Sequence, residues 1–318
     1  MLRLSRRPPR RAGTAEGRGG FALVMVLFLV VLLAVVVAGL SLKASGAYRL
    51  ARSRDVSWRL YYASRAALEE QKAALWRELI SNKGAGQLYA APKDSSSTID
   101  GVEVKIAYED EAGKFPINDF ASPDATRRKD LTLALARLLD DLKIPGSTSL
   151  ATAARDFIDT DGDGPKESGA KNGPLFDASE LLALQGLEPD MLYKVPYGSE
   201  LPSLAACVTT WHNGKINLNG APGPVIKAFS PRLTDAEVKA IIAARAERPF
   251  TAADDFQKRS GVSNEAAAEL LKAGQFTSDT FSVKLEARDG AFARRMQAVV
   301  WLESSAAHTL YVRDGWQL

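Results

Sequence analysis

Cysteine and histidine are almost missing from this chain of 318 residues. Cys207 is the single cysteine, and His212 and His308 are the two histidines. One cysteine closes no intramolecular disulfide and supplies no thiolate-rich zinc site. It also leaves the redox compartment open. Two histidines provision a multi-histidine metal centre poorly. There is no G-x-S-x-G motif, Walker loop or Rossmann glycine pattern. The paired carboxylates Asp140-Asp141 and Asp254-Asp255 fall on helical patterns, where neighbours project about 100° apart and do not share a substrate. These absences argue against an enzyme. A strong charge of one sign is missing too. The formal net charge is +3, but residues 1–20 carry six arginines against Glu16, so the rest of the chain nets −2. The body is mildly acidic, and the basic pI is no argument for nucleic-acid binding.

What is present is globular in composition, with 46% apolar and 25% charged residues. The length is enough for about two domains. Residues 21–42, FALVMVLFLVVLLAVVVAGLSL, carry no charge, and Lys43 ends the run. About 20 apolar helical residues cross a bilayer core. A removable secretory signal has a shorter apolar region of roughly 7–15 residues, and 38–42 is a weak cleavage candidate. The arginines precede the span, which leaves residues 1–20 on the cytoplasmic side and the body across the membrane. Residues 44–82 contain no proline and one glycine, Gly46. Ala47, Ala51, Trp58, Tyr61, Leu68, Leu75 and Leu79 recur at helical spacing. The pattern predicts one helix of about 60 residues, its first third in lipid.

Arg18-Gly19-Gly20-Phe21 followed directly by an apolar helix resembles the class III signal of type IV pilins and pseudopilins. The resemblance implies that a prepilin peptidase cuts after Gly20, that Phe21 becomes the N-methylated first residue, and that the helix is kept as anchor and assembly element. Most pilins carry a glutamate at the fifth mature position, where it pairs with the terminal amine of a neighbouring subunit. Here that position is Met25. An unpaired carboxylate in lipid costs a few kcal/mol, and its absence is similar to the K-type minor pseudopilins of the type II secretion system.

Beyond the helix, 82–98 reads as a loop. Residues 101–119 open with alternation at Val102, Val104 and Ile106, a half-buried strand, with a short strand within 114–117. Amphipathic helices are predicted at 131–142, 149–160 and 178–187, the last capped by Asp177. Four more fall at 221–229, 234–247, 251–259 and 263–273. Period-two patterns return at 279–287 and 296–303, joined by a turn at 288–290, with a last strand at 308–313. Strands therefore bracket roughly 160 residues of helix, and pair when a sheet is interrupted by a surface insertion. The fold class expected is α+β: a long N-terminal transmembrane and assembly helix, a small antiparallel sheet, and a large all-helical domain inserted between strands. The expected divisions are a cytoplasmic leader 1–20, the helix 21–82, the first part of the α+β domain 83–118, the helical insertion 119–278 and the completing strands 279–318. The resemblance to K-type pseudopilins covers nearly all of the mature chain.

Asp159, Asp161 and Asp163 alternate and are followed by Gly164, the opening of a D-x-D-x-D-G calcium loop. Three crowded carboxylates repel one another without a cation. A full EF-hand is not present, because its twelfth position is Ala170. The resemblance adds Asp177 as a further ligand, and the expected ion is a structural Ca2+. Residues 216–256 are similar to a helix–hairpin–helix unit, but the hairpin 229–233 lacks glycines, and Pro231 has no N–H to offer phosphate. No nucleic-acid partner is expected. The expected partners are the I- and J-type minor pseudopilins, met through the N-terminal helix with Trp58, Tyr61 and Leu68 as a lateral stripe, together with the prepilin peptidase and the inner membrane. The alternative is a generic single-pass periplasmic protein with a calcium-stabilised binding domain.

Overall fold

The computed structural model describes residues 18–81, 88–161, 164–165, 169–195, 200–212 and 214–315. The leader residues 1–17, the loop segment 82–87 and Asp163 lie outside the described residues. The chain forms two compact units, Met1–Trp58 and Arg59–Leu318. Helix α1, Arg18–Ser81, is shared between them as one uninterrupted helix. Glycines 19, 20, 39 and 46 do not break it. From Gly20 to Asp55 every side chain is exposed within its unit.

In the second unit α1 presents Leu60, Ala63, Ala67, Leu68, Leu75 and Leu79 inward, all buried. They meet a five-stranded antiparallel sheet in the order β1-β2-β7-β8-β9. β1 is Ser95–Ile99 and β2 is Val102–Asp110. β7, β8 and β9 are Thr280–Asp289, Phe292–Leu302 and Ala307–Asp314. Alternate residues Val104, Ile106, Val283, Leu285, Met296 and Ala298 supply the buried face, as strand period two requires. Ser97 donates to Glu70 of α1 (3.2 Å), and Tyr108 donates to Gln71. Arg59 pairs with Asp289 at 3.1 Å.

The segment 82–98 is not loop throughout: Ser95–Ile99 is an edge strand. Asp100 and Gly101 both have positive φ, 48° and 77°, which is the two-residue turn that matches strand twist. Serines are poor strand formers and hide the signal that Asp-Gly carries. The turn expected at 288–290 is displaced. β7 and β8 run on to Asp289 and Phe292, and only two residues, with Gly290 at φ 58°, connect them.

The insertion between β2 and β7 contains α2 Ala125–Asp141, α3 Ser147–Ile158, α4 Pro189–Tyr193, α5 Leu204–Cys207, α6 Gly223–Phe229, α7 Asp235–Glu247, α8 Ala253–Arg259 and α9 Asn264–Ala273. It is not wholly helical. Two-residue strands β3 Phe115–Pro116 and β4 Val208–Thr209 pair in parallel, as do β5 Ile216–Asn217 and β6 Gly274–Gln275. The predicted helix at 178–187 is a 3-10 turn, Ala178–Ala183. One apolar core runs from Phe115 through Leu138, Ile158, Val225 and Phe256 to Leu270.

Three buried asparagines fasten this insertion to itself and to the sheet. Asn118 donates to the carbonyls of Leu175 and Thr210 and accepts from Leu175 N–H. Asn217 donates to Asp110 at 2.6 Å and to the Tyr89 carbonyl. Asn219 donates to the Phe250 and Phe276 carbonyls, both at 2.8 Å, and accepts from Phe250 N–H at 2.7 Å. Beside them the backbone at Gly113 lies so close to Gly220 that a Cβ on Gly113 would sit 2.6 Å from the Gly220 carbonyl carbon. With Asn217 also accepting from Asn219 N–H at 3.1 Å, each asparagine satisfies three backbone or carboxylate groups at buried or half-buried positions. Asn219→Ala orphans three such groups, so it should cost about 3 kcal/mol. The melting temperature should fall by about 6–12 °C, which differential scanning calorimetry reads directly.

Candidate assembly helix and acidic loop

The first candidate surface is α1 itself. Gly20–Ser81 contains a window of mean hydropathy 3.4, long and apolar enough to cross a membrane. Gly20 and Phe21 lie in its first turns, and Phe21 and Met25 are both exposed. In the second unit the helix has a buried apolar stripe and, apart from it, an exposed face that mixes apolar and charged residues. The expected lateral stripe merged them. Leu68 is fully buried against the sheet and is withdrawn from any partner surface. Tyr61 is half-buried, 5.3 Å from the Tyr62 ring, with Arg294 over its face at 5.1 Å. Trp58 is exposed. The outward stripe runs Tyr62, Ala66, Glu69, Ala73, Arg77, Ile80, all exposed and spaced by three or four. Tyr62 and Ile80 are the large apolar residues that the sequence reading missed. The signal was available in the four-residue step from Trp58 to Tyr62.

The second candidate is the acidic loop that follows α3. Asp159 caps that helix, and Asp156 and Asp159 are buried. Arg128 of α2 reaches Asp161 at 2.7 Å and approaches Asp159 at 4.0 Å. Arg155 lies 3.9 Å from Asp159 and pairs with Asp156. The loop folds back on Asp156: a Cβ on Gly164 would fall 2.6 Å from its carboxyl carbon. A side chain there would force the buried Asp156 carboxyl to shift, so packing favours glycine. Asp177 is drawn into other work. Its carboxylate accepts from Ser179 N–H at 2.8 Å, and Glu180 answers in a capping box. Glu180 also accepts from Lys171 at 2.5 Å. Among the described residues no three acidic or imidazole side chains converge as a metal-holding group. The structure thus joins Asp159 and Asp161 through Arg128, gives Asp177 a capping role, and leaves Asp163 outside the described residues.

A third polar centre, unforeseen in the sequence, lies where the insertion leaves the sheet. Lys114 reaches Glu111 at 2.7 Å and Glu109 at 2.9 Å, and Lys284 of β7 also meets Glu109. Glu111 accepts from Ser282 at 2.6 Å and from Thr209 at 2.5 Å. A cleft of about 170 Å³ opens over this cluster, small for a ligand pocket, and its charges are already spent on one another. Burial opposes ionisation of Lys114, yet the two glutamates raise its pKa. Burial likewise opposes the charge on Glu109, but Lys114 and Lys284 outweigh it and hold the carboxyl down to about 2. Cys207 is buried in the insertion core, and burial pushes its thiol up to about 12, which makes it inert. Neither His212, hydrogen-bonded to the Lys215 carbonyl, nor the helix-borne aspartate pairs assemble with a nucleophile. Asp141 meets Lys227, and Asp255 meets Arg248 and Arg259.

Two family models, both described as type II secretion system (T2SS), protein K, match residues 113–202 and 216–274. These segments hold the acidic loop, the capping box and the three buried asparagines, and of the polar cluster at the root of the insertion they hold Lys114 alone. Over these two segments the chain is similar to the type II secretion system protein K family. A curated member from Pseudomonas aeruginosa, type II secretion system protein K, is 24% identical over 270 residues, covering 76% of this chain and 77% of that one. The crystal structure of the GspK-GspI-GspJ complex from the enterotoxigenic Escherichia coli type 2 secretion system matches with a TM-score of 0.61 at 18% identity. It covers 84% of this chain and 99% of its counterpart. The α+β architecture is therefore shared with a solved relative. These likenesses support a minor pseudopilin of a type II secretion system, a structural component of a secretion machine.

The root cluster has a pH signature. A carboxyl whose pKa is depressed on folding stabilises the protein above its unfolded range, and that contribution is lost as pH falls through the folded value. For Glu109 the window runs from about 4.5 down to about 2. Glu109→Gln should melt lower than wild type at neutral pH. Between pH 4.5 and pH 2 it should lose less further stability than wild type does, as measured by thermal melts across that range.

Proposed function

We propose that this chain caps the tip of the type II secretion pseudopilus and helps to initiate its assembly. Before assembly it is held by a single span in the bacterial inner membrane, with its body in the periplasm. The observation that carries this reading is Met25. It stands at the fifth position after the Gly20–Phe21 junction, on an exposed face of α1, where a body subunit would present a carboxylate to the subunit stacked on it. The insertion, whose helices include α2 with 17 residues and α9 with 10, adds bulk that suits an end position. Partners are the I- and J-type minor pseudopilins, the assembly named for the solved relative. The contact is assigned to the outward stripe of Tyr62, Ala73 and Ile80. The prepilin peptidase removes the leader after Gly20, and Phe21 is methylated. The role is mechanical, and no catalysis is assigned to it.

A cysteine at Tyr62 or Ile80 tests the position in the filament. Cross-linking should trap I- or J-type partners and no second copy of this chain, and a self-cross-link at either site overturns the cap. Mass spectrometry of the membrane-extracted protein should find a methylated Phe21 as first residue. An intact Met1 in assembled pseudopili sinks the processing reading.

We further propose that Ca2+ is held structurally by Asp159, Asp161 and Asp163, with Asp161 exchanging its Arg128 pairing for the ion. The support is the alternation of the three aspartates, the burial of Asp159, and the placement of Gly164 hard against Asp156. Asp177 is left to its capping box. Calcium should raise the melting temperature of the full chain by several degrees, chelation should reverse it, and Asp161→Ala with Asp163→Ala should abolish the response. An unchanged melting temperature in wild type overturns the site.

A further inference from the structure

The stretch of α1 just past the apolar run has an unusual charge arrangement. Residues 43–58 hold Lys43, Arg49, Arg52 and Arg54 against the single carboxylate Asp55. All four cations are exposed, and no ion pair or hydrogen bond holds any of them among the described residues. Further along the same helix the pattern differs, because Arg59 has Asp289 and Lys72 has Glu69. Tyr48, Leu50 and Trp58 are interleaved with the cations and exposed as well.

We propose that residues 43–58 form a collar for anionic phospholipid headgroups, with Lys43, Arg49, Arg52 and Arg54 meeting lipid phosphates. The collar rests on the reading of 21–42 as a bilayer span. Three features select a lipid surface over a protein partner. First, the collar starts at Lys43, the first residue after the span, so it is continuous with the membrane. Second, helical rotation of about 100° per residue puts Lys43 and Arg54 on one side and Arg49 and Arg52 on the opposite side. A protein partner docks on one side of a helix, whereas headgroups surround it. Third, Tyr48, about 8 Å above Lys43, is an amphipathic ring of the kind enriched at bilayer interfaces. The heights place Lys43 and Arg49 at the headgroups, with Arg52 and Arg54 above them and reaching down by their stems. At 1.5 Å per residue Arg49 lies about 9 Å above Lys43 and Arg54 about 16 Å above it. The polar zone is about 5–8 Å deep on each side, and long arginine stems reach back toward it. Each cation near an anionic surface adds to the attraction, and salt screens it. The collar would set the depth at which the subunit waits in the membrane.

Native mass spectrometry of the full chain in neutral detergent, supplied with equal phosphatidylglycerol and phosphatidylcholine, tests this. The comparison is with the variant Lys43→Gln, Arg49→Gln, Arg52→Gln, Arg54→Gln, both chains having the same N-terminus so that the leader arginines count equally. Wild type should retain phosphatidylglycerol several-fold over phosphatidylcholine, and the variant should lose most of that excess, as should wild type at high salt. Equal lipid preference in wild type and variant overturns the collar. So does a variant that keeps its lipid preference but no longer copurifies I- and J-type partners, because the cations then serve a protein contact. Carbonate extraction of membranes separates the underlying reading: a wild-type chain released by carbonate sinks the span itself, whereas a retained chain without lipid preference sinks the collar alone. An unchanged melting temperature in the variant confirms that the body still folds.

Discussion

The antiparallel ladder between β2 and β7 is the pairing on which the rest of the body depends. Glu103 through Asp110 match Arg288 through Phe281 in continuous register. Everything between those strands must fold into a unit whose two ends emerge side by side. That demand explains the chemistry at the root. Glu111 and Lys114 follow β2 directly, Thr209 belongs to β4, and Ser282 and Lys284 belong to β7. Ions buried this way are poor sources of net stability when compared with apolar packing. They do fix geometry, since each oxygen of Glu111 has a named donor. The cluster therefore acts as a register mark that holds the insertion at one angle to its sheet. Asn217, bonded to Asp110 at the last residue of β2, adds a second fixed point.

Much of this architecture is legible in the sequence because the signals are local. The four helices from α6 to α9 start and stop within a few residues of their expected positions, as capping residues such as Thr234 and Ser263 dictate. The long helix is legible because nothing in 44–82 can break it. What escaped reading depends on distant partners. β3 to β6 are two residues each and exist only because their mates arrive from far along the chain. β1 is written in serines, and only its Asp-Gly turn betrays it. The root cluster joins residues separated by 171 positions, and no window along the chain contains that relation.

The functional surfaces divide along the same line. Met25 and the Gly20–Phe21 junction are features of the sequence itself, and the fold adds only that they lie on an exposed helix. The lateral stripe needed the fold. Leu68 and Tyr62 are both apolar and six residues apart, yet one faces the sheet and the other faces outward. Helical periodicity alone cannot say which of these apolar residues a sheet will cover. The aspartates show a third case. Alternation along the chain is real at Asp159 and Asp161, but Arg128 and Arg155 enter from neighbouring helical positions and take up the charge that a linear reading assigns to an ion.

The β2–β7 ladder also has a consequence in time. A chain made from its N-terminus releases β2 roughly 170 residues before β7 exists, and non-local pairing is slow for that reason. During that interval one edge of β2 is bare, a template for any stray strand. β1 is already in place on the other edge, because a two-residue turn joins it to β2, and α1 precedes both and is ready to cover their apolar face. In that interval α1 and β1 are the elements already made that can cover the half-built sheet, and β2 keeps one edge open until its partner strand is synthesised.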